Sequence, residues 1–554
     1  MRITIRSRVT RRRLLSTAGS AAALTAASGI ARPYLSFAAD RPVITHGVQS
    51  GDVSVDSSVI WARADRPSRM LVEISTTESF KDIRQGAYVD ALPESDFTAK
   101  ALIDGLPAGQ DIFYRVRFQD LATPAIVGEP AVGRFRTAPA DRRSVNFVWS
   151  GDTAGQGSGI DESRGGMRTY ASMRNARPDF FIHNGDNIYA DNPMSTEQKM
   201  PNGEIWRNIV TPEKSKPAET LDEFRGNFKY NLLDKNVLAF NAEVPIFSQW
   251  DDHEVFNNWW PGEPLTRAEQ QRRHYGVQNA LILAARANRA FHEYMPMRET
   301  QLEPGRVYRK ISYGPLLDVF MLDMRSYRGP NGEDKQETYG PDAYFLAPTQ
   351  VAWLKRELLN SRATWKVIAA DMPLSLVVIY DIDRKWGIEA VAQGDDGPPR
   401  GRELEIADIL SFIKHARVRN TIWLTADVHY TAAQLLRSQQ GDVPGFRAVL
   451  GIRLRTDPRR HVRPQPARCD IRAADRVHEG AEQGAGTKPA AQRRHAIFRP
   501  HRHRWGDRGH DGDAQGRWRQ RAMVDQDRAE ARLRRSRPFA AAPRRPPSPR
   551  RSRH

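Results

Sequence analysis

Six segments of this chain run through an apolar stretch and then stop abruptly on a polar or charged cluster: SVNFVWSGD, PDFFIHNGD, VPIFSQWDDHE, LLDVFMLDMRSYR, TWKVIAADMP and NTIWLTADVHY. A strand that is apolar at almost every position has no face to offer to water, so these runs require burial on both sides, as in a layered α/β core. Their polar ends then gather at one sheet edge, where open α/β sheets bind ligands. Helical spacing separates them, over residues 267–295 and at PTQVAWLKRELLNS, where Val351, Leu354 and Leu358 share a face. The densest ending is FIHNGDNIYADNP, which sets Asp186, Asn187, Tyr189 and Asp191 directly after an apolar run. That density excludes a buried strand continuing through them and points to a loop that holds something.

Upstream, between residues 42 and 137, short β-rich runs alternate with turns. In DIFYRVRF, Ile112, Tyr114 and Val116 alternate with Phe113, Arg115 and Arg117 at the two-residue period of a strand. A small β-sandwich domain is expected there. TAPADRRS reads as a linker, and the layered α/β domain is expected over residues 143–437. Residues 1–39 read as a twin-arginine leader: Arg11 and Arg12 precede the weakly apolar LLSTAGSAAALTAASGIA, with a cleavage site at Ala38 in LSFAAD. That stretch is too short and too weakly hydrophobic to span a membrane. Export by this route delivers a folded protein to the periplasm or the medium, which suits enzymes that load metal before leaving the cytoplasm.

Net charge does not point to nucleic acid. Of the formal +18, about +17 lies after residue 450, where 28 Lys and Arg face 11 Asp and Glu, so the body of the chain is nearly neutral. The one cysteine, Cys469, also lies in that tail, leaving no thiolate cluster for the fold.

Taken singly, an Asp after a strand is a turn residue or a helix cap, and a lone His429 is a core histidine. Taken together, Asp152, Asp186, Asp252, Asp427 and His429 are hard oxygen and imidazole donors delivered in order by successive strand ends. Tyr189 adds a phenol that becomes a strong ligand when a trivalent or similarly acidic metal removes its proton. This is the donor inventory of a two- or three-metal cluster, the kind that clamps the attacking and leaving oxygens of a phosphoryl transfer.

GDNIYAD, WDDHEVFNNW, LDMRSYR, AADMP and TADVHYTAA, in this order, resemble the motifs of the alkaline phosphatase D family and, more distantly, of purple acid phosphatases and other metallophosphoesterases. The resemblance spans residues 42–437. It implies an α/β (α+β layered) metallophosphoesterase-like core, β-sheets flanked by helices, behind a fibronectin-like β-sandwich. It also implies Fe3+ and Ca2+ as cofactors, other divalent metals being open. Phosphate mono- or diesters are the implied substrates, cleaved by attack of a metal-bound hydroxide. GDNIY is similar to the segment in which Asp bridges metals and Tyr ligates ferric iron, so those roles fall on Asp186 and Tyr189. DDHE gives Asp252 a metal role and places His253 at the leaving oxygen. ADVH puts metal on Asp427 and His429, ADMP makes Asp371 a further ligand, and Arg325 in DMRSYR is suited to holding phosphoryl oxygens. Relatives place a cysteine iron ligand after the first catalytic strand, whereas VWSGDTAGQG offers Asp152 and no thiol, which leaves the metal identity open.

Residues 438–554 read as an Arg/Pro-rich tail too poor in apolar residues to offset its ordering entropy. Excess Arg, Pro, Ala, Gly and His is also what a GC-rich gene yields out of frame. One codon choice for FRAVLGIRLRTDPRRHVRPQPARCD, shifted by one base, reads SGPFWEFVSGPIHAGTFGPSPLDA, similar to the segment that follows the last ligand pair in the family. A frameshift between about residues 437 and 446 is therefore expected, and such a product would lack the closing strands. The alternatives at this stage are a phospholipase D-like or phytase-like phosphoesterase, or a catalytically dead secreted protein that binds anions.

Overall fold

The apolar runs are strands, and each is apolar throughout because a packed layer covers both of its faces. The computed structural model describes residues 41–200, 202–381, 384–395, 397–429, 433–436 and 449–453. In chain order the first nine strands are β1 (Ile44–Gly51), β2 (Ser58–Ala64), β3 (Ser68–Ser75), β4 (Arg84–Ala91), β5 (Thr98–Ile103), β6 (Asp111–Asp120), β7 (Ala131–Arg136), β8 (Phe147–Ser150) and β9 (Phe180–Asn184). There follow β10 (Glu197–Lys199), β11 (Ile205–Arg207), β12 (Ile246–Gln249), β13 (Arg309–Tyr313), β14 (Leu317–Met321), β15 (Trp365–Ala369), β16 (Ile379–Asp381) and β17 (Trp386–Ile388). Last come β18 (Thr421–Thr425), β19 (Ala433–Leu436) and β20 (Val449–Arg453).

Two six-stranded sheets form the body, in the orders β5-β2-β1-β12-β9-β8 and β13-β14-β15-β18-β20-β19. Neighbours β12, β9 and β8 run parallel in the first, and β14, β15, β18 and β20 in the second. Phe180 and Ile182 of β9 enter the core shared with Val319 and Met321 of β14, Val367 and Ala369 of β15, and Ile422 and Leu424 of β18. The alternate residues Phe320, Ile368 and Trp423 enter a second core with Val351, Leu354 and Leu358 of the helix Ala347–Asn360 and with Ile406 and Leu410 of the helix Glu403–His415. The period of two is thus present, but both faces are buried, so it leaves no polar alternation in the sequence. The result is the mixed α/β arrangement expected, sheets flanked by helices behind an N-terminal β region.

The N-terminal strands β3, β4, β6 and β7 make a separate antiparallel sheet, and Ile112, Tyr114 and Val116 face inward as their alternation implies. Strands β1, β2 and β5, however, extend the first large sheet through the parallel contact Gly51↔Ile246 of β1 with β12. Asp52, directly after β1, accepts from Arg309 Nε and Nη2, each at 2.7 Å, and from the Arg298 backbone N–H at 2.8 Å.

Two local expectations change. Residues 267–295 form not one helix but two, Arg267–Arg273 and Ala280–Tyr294, because His274 takes a left-handed φ of 60° as C-cap and Asn279 then caps the second by accepting from the Leu281 N–H at 2.8 Å. Val449–Arg453, placed by its composition in the tail, forms β20 between β18 and β19. Residues 454–554 and the leader at 1–39 lie outside the described residues.

Removing one partner of a buried ion pair strands the other. Asp52→Ala is expected to destabilise the protein by about 3–5 kcal/mol, read as a lower denaturant midpoint; an unchanged midpoint would show that Asp52 does not tie the N-terminal strands to the rest.

Candidate metal centre

Five strands end in the same way. β8, β9, β12, β15 and β18 stop at Ser150, Asn184, Gln249, Ala369 and Thr425, and two residues later stand Asp152, Asp186, Asp251, Asp371 and Asp427. All five strands lie in the parallel portions of the two packed sheets, so their C-terminal ends emerge on one side and the aspartates converge.

Three groups of donors lie with their ligand atoms all within 4.8 Å of one another: Asp152, Asp186 and His429; Asp186, Asp252 and His253; and Asp251, Asp252 and Asp427. The first two share Asp186 and the last two share Asp252. Asp152, Asp186, Asp427 and His429 have φ of 62°, 54°, 69° and 56°. For a residue with a Cβ this left-handed region costs on the order of 1 kcal/mol or more, so side-chain direction is fixed here at the expense of backbone comfort.

Tyr189 is buried beside the first group. Its hydroxyl donates to Asp152 Oδ1 at 2.8 Å and lies 3.3 Å from His429 Nε2, while its ring stacks on His253 with centroids 4.1 Å apart. Burial and the charges of Asp152 and Asp186 push the phenol pKa well above 10. His429 Nε2 sits 2.9 Å from Asp152 Oδ1, and Gln156 Nε2 approaches its Nδ1 at 2.8 Å. His253 Nδ1 lies 2.7 Å from Asp191 Oδ1, whose Oδ2 accepts from the Asn257 N–H at 2.8 Å. Burial alone would lower the His253 pKa, but the Asp191 and Asp252 carboxylates outweigh it and raise the imidazolium to about 10.

Arg325 differs from expectation. It is fully buried, its Nε donates to Asp251 Oδ1 at 2.7 Å, and it pairs with Glu389 and, at 3.4 Å, with Asp371. Arg328 Nη1 lies 2.8 Å from the same Glu389 oxygen. A guanidinium closed in on all sides by carboxylates has no edge left for a phosphoryl group; it is a fixed counter-charge. Asp371 stands at this guanidinium and in none of the three donor groups.

The sequence pattern assigns no role to Asp251, Glu254 or Asp191. Glu254 accepts from the N–H groups of Asp186, Asn187 and Asp251 at 3.2, 2.5 and 2.8 Å. The signal for Asp251 was present in the spacing: it, not Asp252, is the aspartate two residues past its strand. Asp191 lay within GDNIYAD but had no assigned partner.

The donors suit a cation. Asp152 Oδ2, Asp251 Oδ2, Asp252 Oδ1 and both carboxylate oxygens of Asp371 are buried without a hydrogen-bond partner, a state that native proteins avoid unless an ion or water satisfies the atom. Burial first, then the charges of Asp251 and Asp252, raises Asp186 and Asp427 well above the usual carboxylate range. Hard oxygen donors with one or two imidazoles and a phenol suit trivalent or hard divalent ions.

Comparison with known proteins agrees with this chemistry. A model of the PhoD-like phosphatase family matches residues 147–453, more than half of the chain. The chain belongs to that family. The model of the N-terminal domain of PhoD-like phosphatases matches residues 28–139. Alkaline phosphatase D of Bacillus subtilis (strain 168) is 28% identical over 459 residues, covering 77% of this chain and 72% of its own. A solved structure of PhoD superposes with a TM-score of 0.59 at 24% identity, covering 74% of this chain and 77% of the other. A purple acid phosphatase from yellow lupin (Lupinus luteus) seeds gives a TM-score of 0.45 at 12% identity, over 75% and 64% of the two chains. Membership makes the chain a phosphoric ester hydrolase acting on phosphate esters. Among the described residues, no helix is long and apolar enough to cross a membrane.

This PhoD-like centre has a pH signature in its metal-free form. Burial raises Asp251 from 3.8 to about 6, despite Arg325, and Glu254 from 4.5 to about 7. Between the ordinary and the raised values the folded state holds protons that the unfolded chain has released. The stability from these groups is therefore full below pH about 4 and lost as pH rises through 6 and 7. Chelator-treated protein is expected to melt lower at pH 8 than at pH 5, and Glu254→Gln to reduce that difference; a variant with an unchanged pH dependence would contradict the assignment.

Proposed function

We propose that the protein is a secreted, metal-dependent alkaline phosphatase and phosphodiesterase. The supporting observation is the row of three donor groups joined by Asp186 and Asp252, since shared carboxylates are how adjacent cations are bridged. Fe3+ belongs with Asp152, Asp186, Tyr189 and His429, because an acidic trivalent ion can take the proton from a phenol that its surroundings otherwise hold firmly protonated. Ca2+ belongs with the all-carboxylate group Asp251, Asp252 and Asp427. When bound, these ions supply positive charge and Lewis acidity toward the phosphoryl oxygens.

The protein's own residues then divide the remaining work. His253, protonated and oriented through Nδ1 by Asp191 and by stacking on Tyr189, presents Nε2 as hydrogen-bond and proton donor to the departing ester oxygen. Arg325 acts behind the ligands, offsetting their charge, and Asp371 serves with it. No serine nucleophile is required. The twin-arginine leader proposed for residues 1–39 would carry the loaded enzyme to the periplasm or the medium through the twin-arginine translocation machinery.

Asp186→Asn removes the carboxylate common to two groups. Hydrolysis of p-nitrophenyl phosphate and bis(p-nitrophenyl) phosphate is expected to fall at least about 100-fold, on the scale of losing a transition-state contact, with bound iron lost as well. Full activity after exhaustive chelation, or in the variant, would contradict the reading.

A further inference from the structure

A cavity of about 620 Å³ opens directly onto Asp152, Tyr189 and His429. It is bounded by the loop that follows β8, by the start of the helix Arg168–Asn175 and by the hairpin β10–β11. This volume lies in the range that holds small organic ligands and exceeds what a phosphate group alone fills.

The walls are chemically divided. Met167, Met173, Phe181 and Trp206 supply apolar and aromatic surface. Trp206 is fixed in place: its Nε1 donates to the Gly159 carbonyl at 3.2 Å, and the Arg164 guanidinium covers its ring at 5.3 Å. Arg164 is itself compensated, by Glu204 at 3.0 Å and Asp161 at 3.3 Å. Arg168 is exposed on the same wall, and among the described residues its guanidinium has neither a hydrogen bond nor an ion pair. The cavity thus offers one aromatic platform and one uncompensated cation, with the candidate ligands Asp152, Tyr189 and His429 in its lining.

We propose that this cavity is the leaving-group subsite, and that it selects phosphodiesters whose departing alcohol carries an aromatic body and a second anionic group, as a nucleoside phosphate does. The ester phosphorus sits at the metal ligands, the ring lies along Trp206, and the distal phosphate meets Arg168. This reading rests on the phosphoesterase assignment above and specifies its substrate. In the reaction, water adds to the ester phosphorus, the bond to the departing oxygen breaks, and that oxygen leaves with a proton as the alcohol, still bearing its distal phosphate.

Kinetics with three substrates test the subsite in the metal-loaded protein: glycerol 2-phosphate, the dinucleotide TpT, and pTpT with its extra terminal phosphate, cleavage of the internucleotide ester being the readout for both dinucleotides. Arg168→Ala is expected to raise KM for pTpT about tenfold, the scale of one charge-assisted hydrogen bond, and to leave TpT and glycerol 2-phosphate unchanged. Arg168→Lys should restore part of the loss. Trp206→Ala is expected to raise KM for both dinucleotides and not for glycerol 2-phosphate, whose departing alcohol has no ring. Equal effects on all three substrates, or none on pTpT, would overturn the proposal. Calorimetry with the analogue of thymidine 3′,5′-bisphosphate in which methylene groups replace the two ester oxygens reads the subsite without turnover. Tenfold weaker binding by Arg168→Ala supports it even if no substrate is hydrolysed, which would then count against the catalytic reading alone; equal binding by both proteins overturns it.

Discussion

Mutual repulsion among buried carboxylates is the constraint around which this structure is organised. Two such groups about 4 Å apart repel by roughly 4 kcal/mol at an effective dielectric near 20, and Asp186 faces Asp152, Asp251, Asp252 and Glu254 together. Left to itself such a cluster would splay open or take up protons. It is held instead by backbone donors: the His253 N–H on Asp186 Oδ1 at 3.2 Å and the Asn258 N–H on Asp252 Oδ2 at 2.5 Å. Arg325 adds one fixed positive charge, kept in place by Glu389. That guanidinium and the His253 imidazolium cannot neutralise the whole set, so the remaining charge balance falls to further protons or to cations.

The two-sheet architecture makes that concentration reachable. Ligands placed two residues past a strand are anchored by the last pairs of a buried parallel ladder, and the left-handed backbone at Asp152, Asp186, Asp427 and His429 turns them inward. Rigid strands with strained ends form a preorganised site, in which the cost of gathering the charges is met by the core beneath. The second layer does comparable work. Glu254 gathers three N–H groups from two different loops, and Asp191 orients His253 from the loop that carries Tyr189. The adjoining cavity is built from less regular elements, a glycine-rich loop and a short hairpin, which suits a surface that distinguishes substrates rather than one that holds ions.

Much of this was legible in the residues. Continuous apolar runs revealed strands buried on both faces, and their polar endings identified the edge where donors meet. Asp152, Asp186, Asp252, Asp427 and His429 followed from that pattern. Spacing alone did not separate ligand from turn. Asp323 also lies two residues beyond its strand, yet its Oδ1 accepts from Trp250 Nε1 at 3.0 Å and from the Arg325 and Ser326 N–H groups at 3.1 and 2.9 Å, the ordinary role of a turn aspartate. Arg325 illustrates a related point: sequence shows an arginine near acidic motifs but not whether its guanidinium faces solvent or a closed ring of carboxylates. The break at His274 and the merging of β1, β2 and β5 with β12 depend on tertiary packing that local pattern does not carry.

Anomalous X-ray diffraction on the metal-loaded protein, collected on both sides of the iron absorption edge, tests the central claim most directly. The account predicts an edge-dependent peak within bonding distance of Asp152, Asp186, Tyr189 and His429, and a second ion without an iron signal among Asp251, Asp252 and Asp427. Ordered carboxylates with no ion among them in metal-saturated crystals would contradict it.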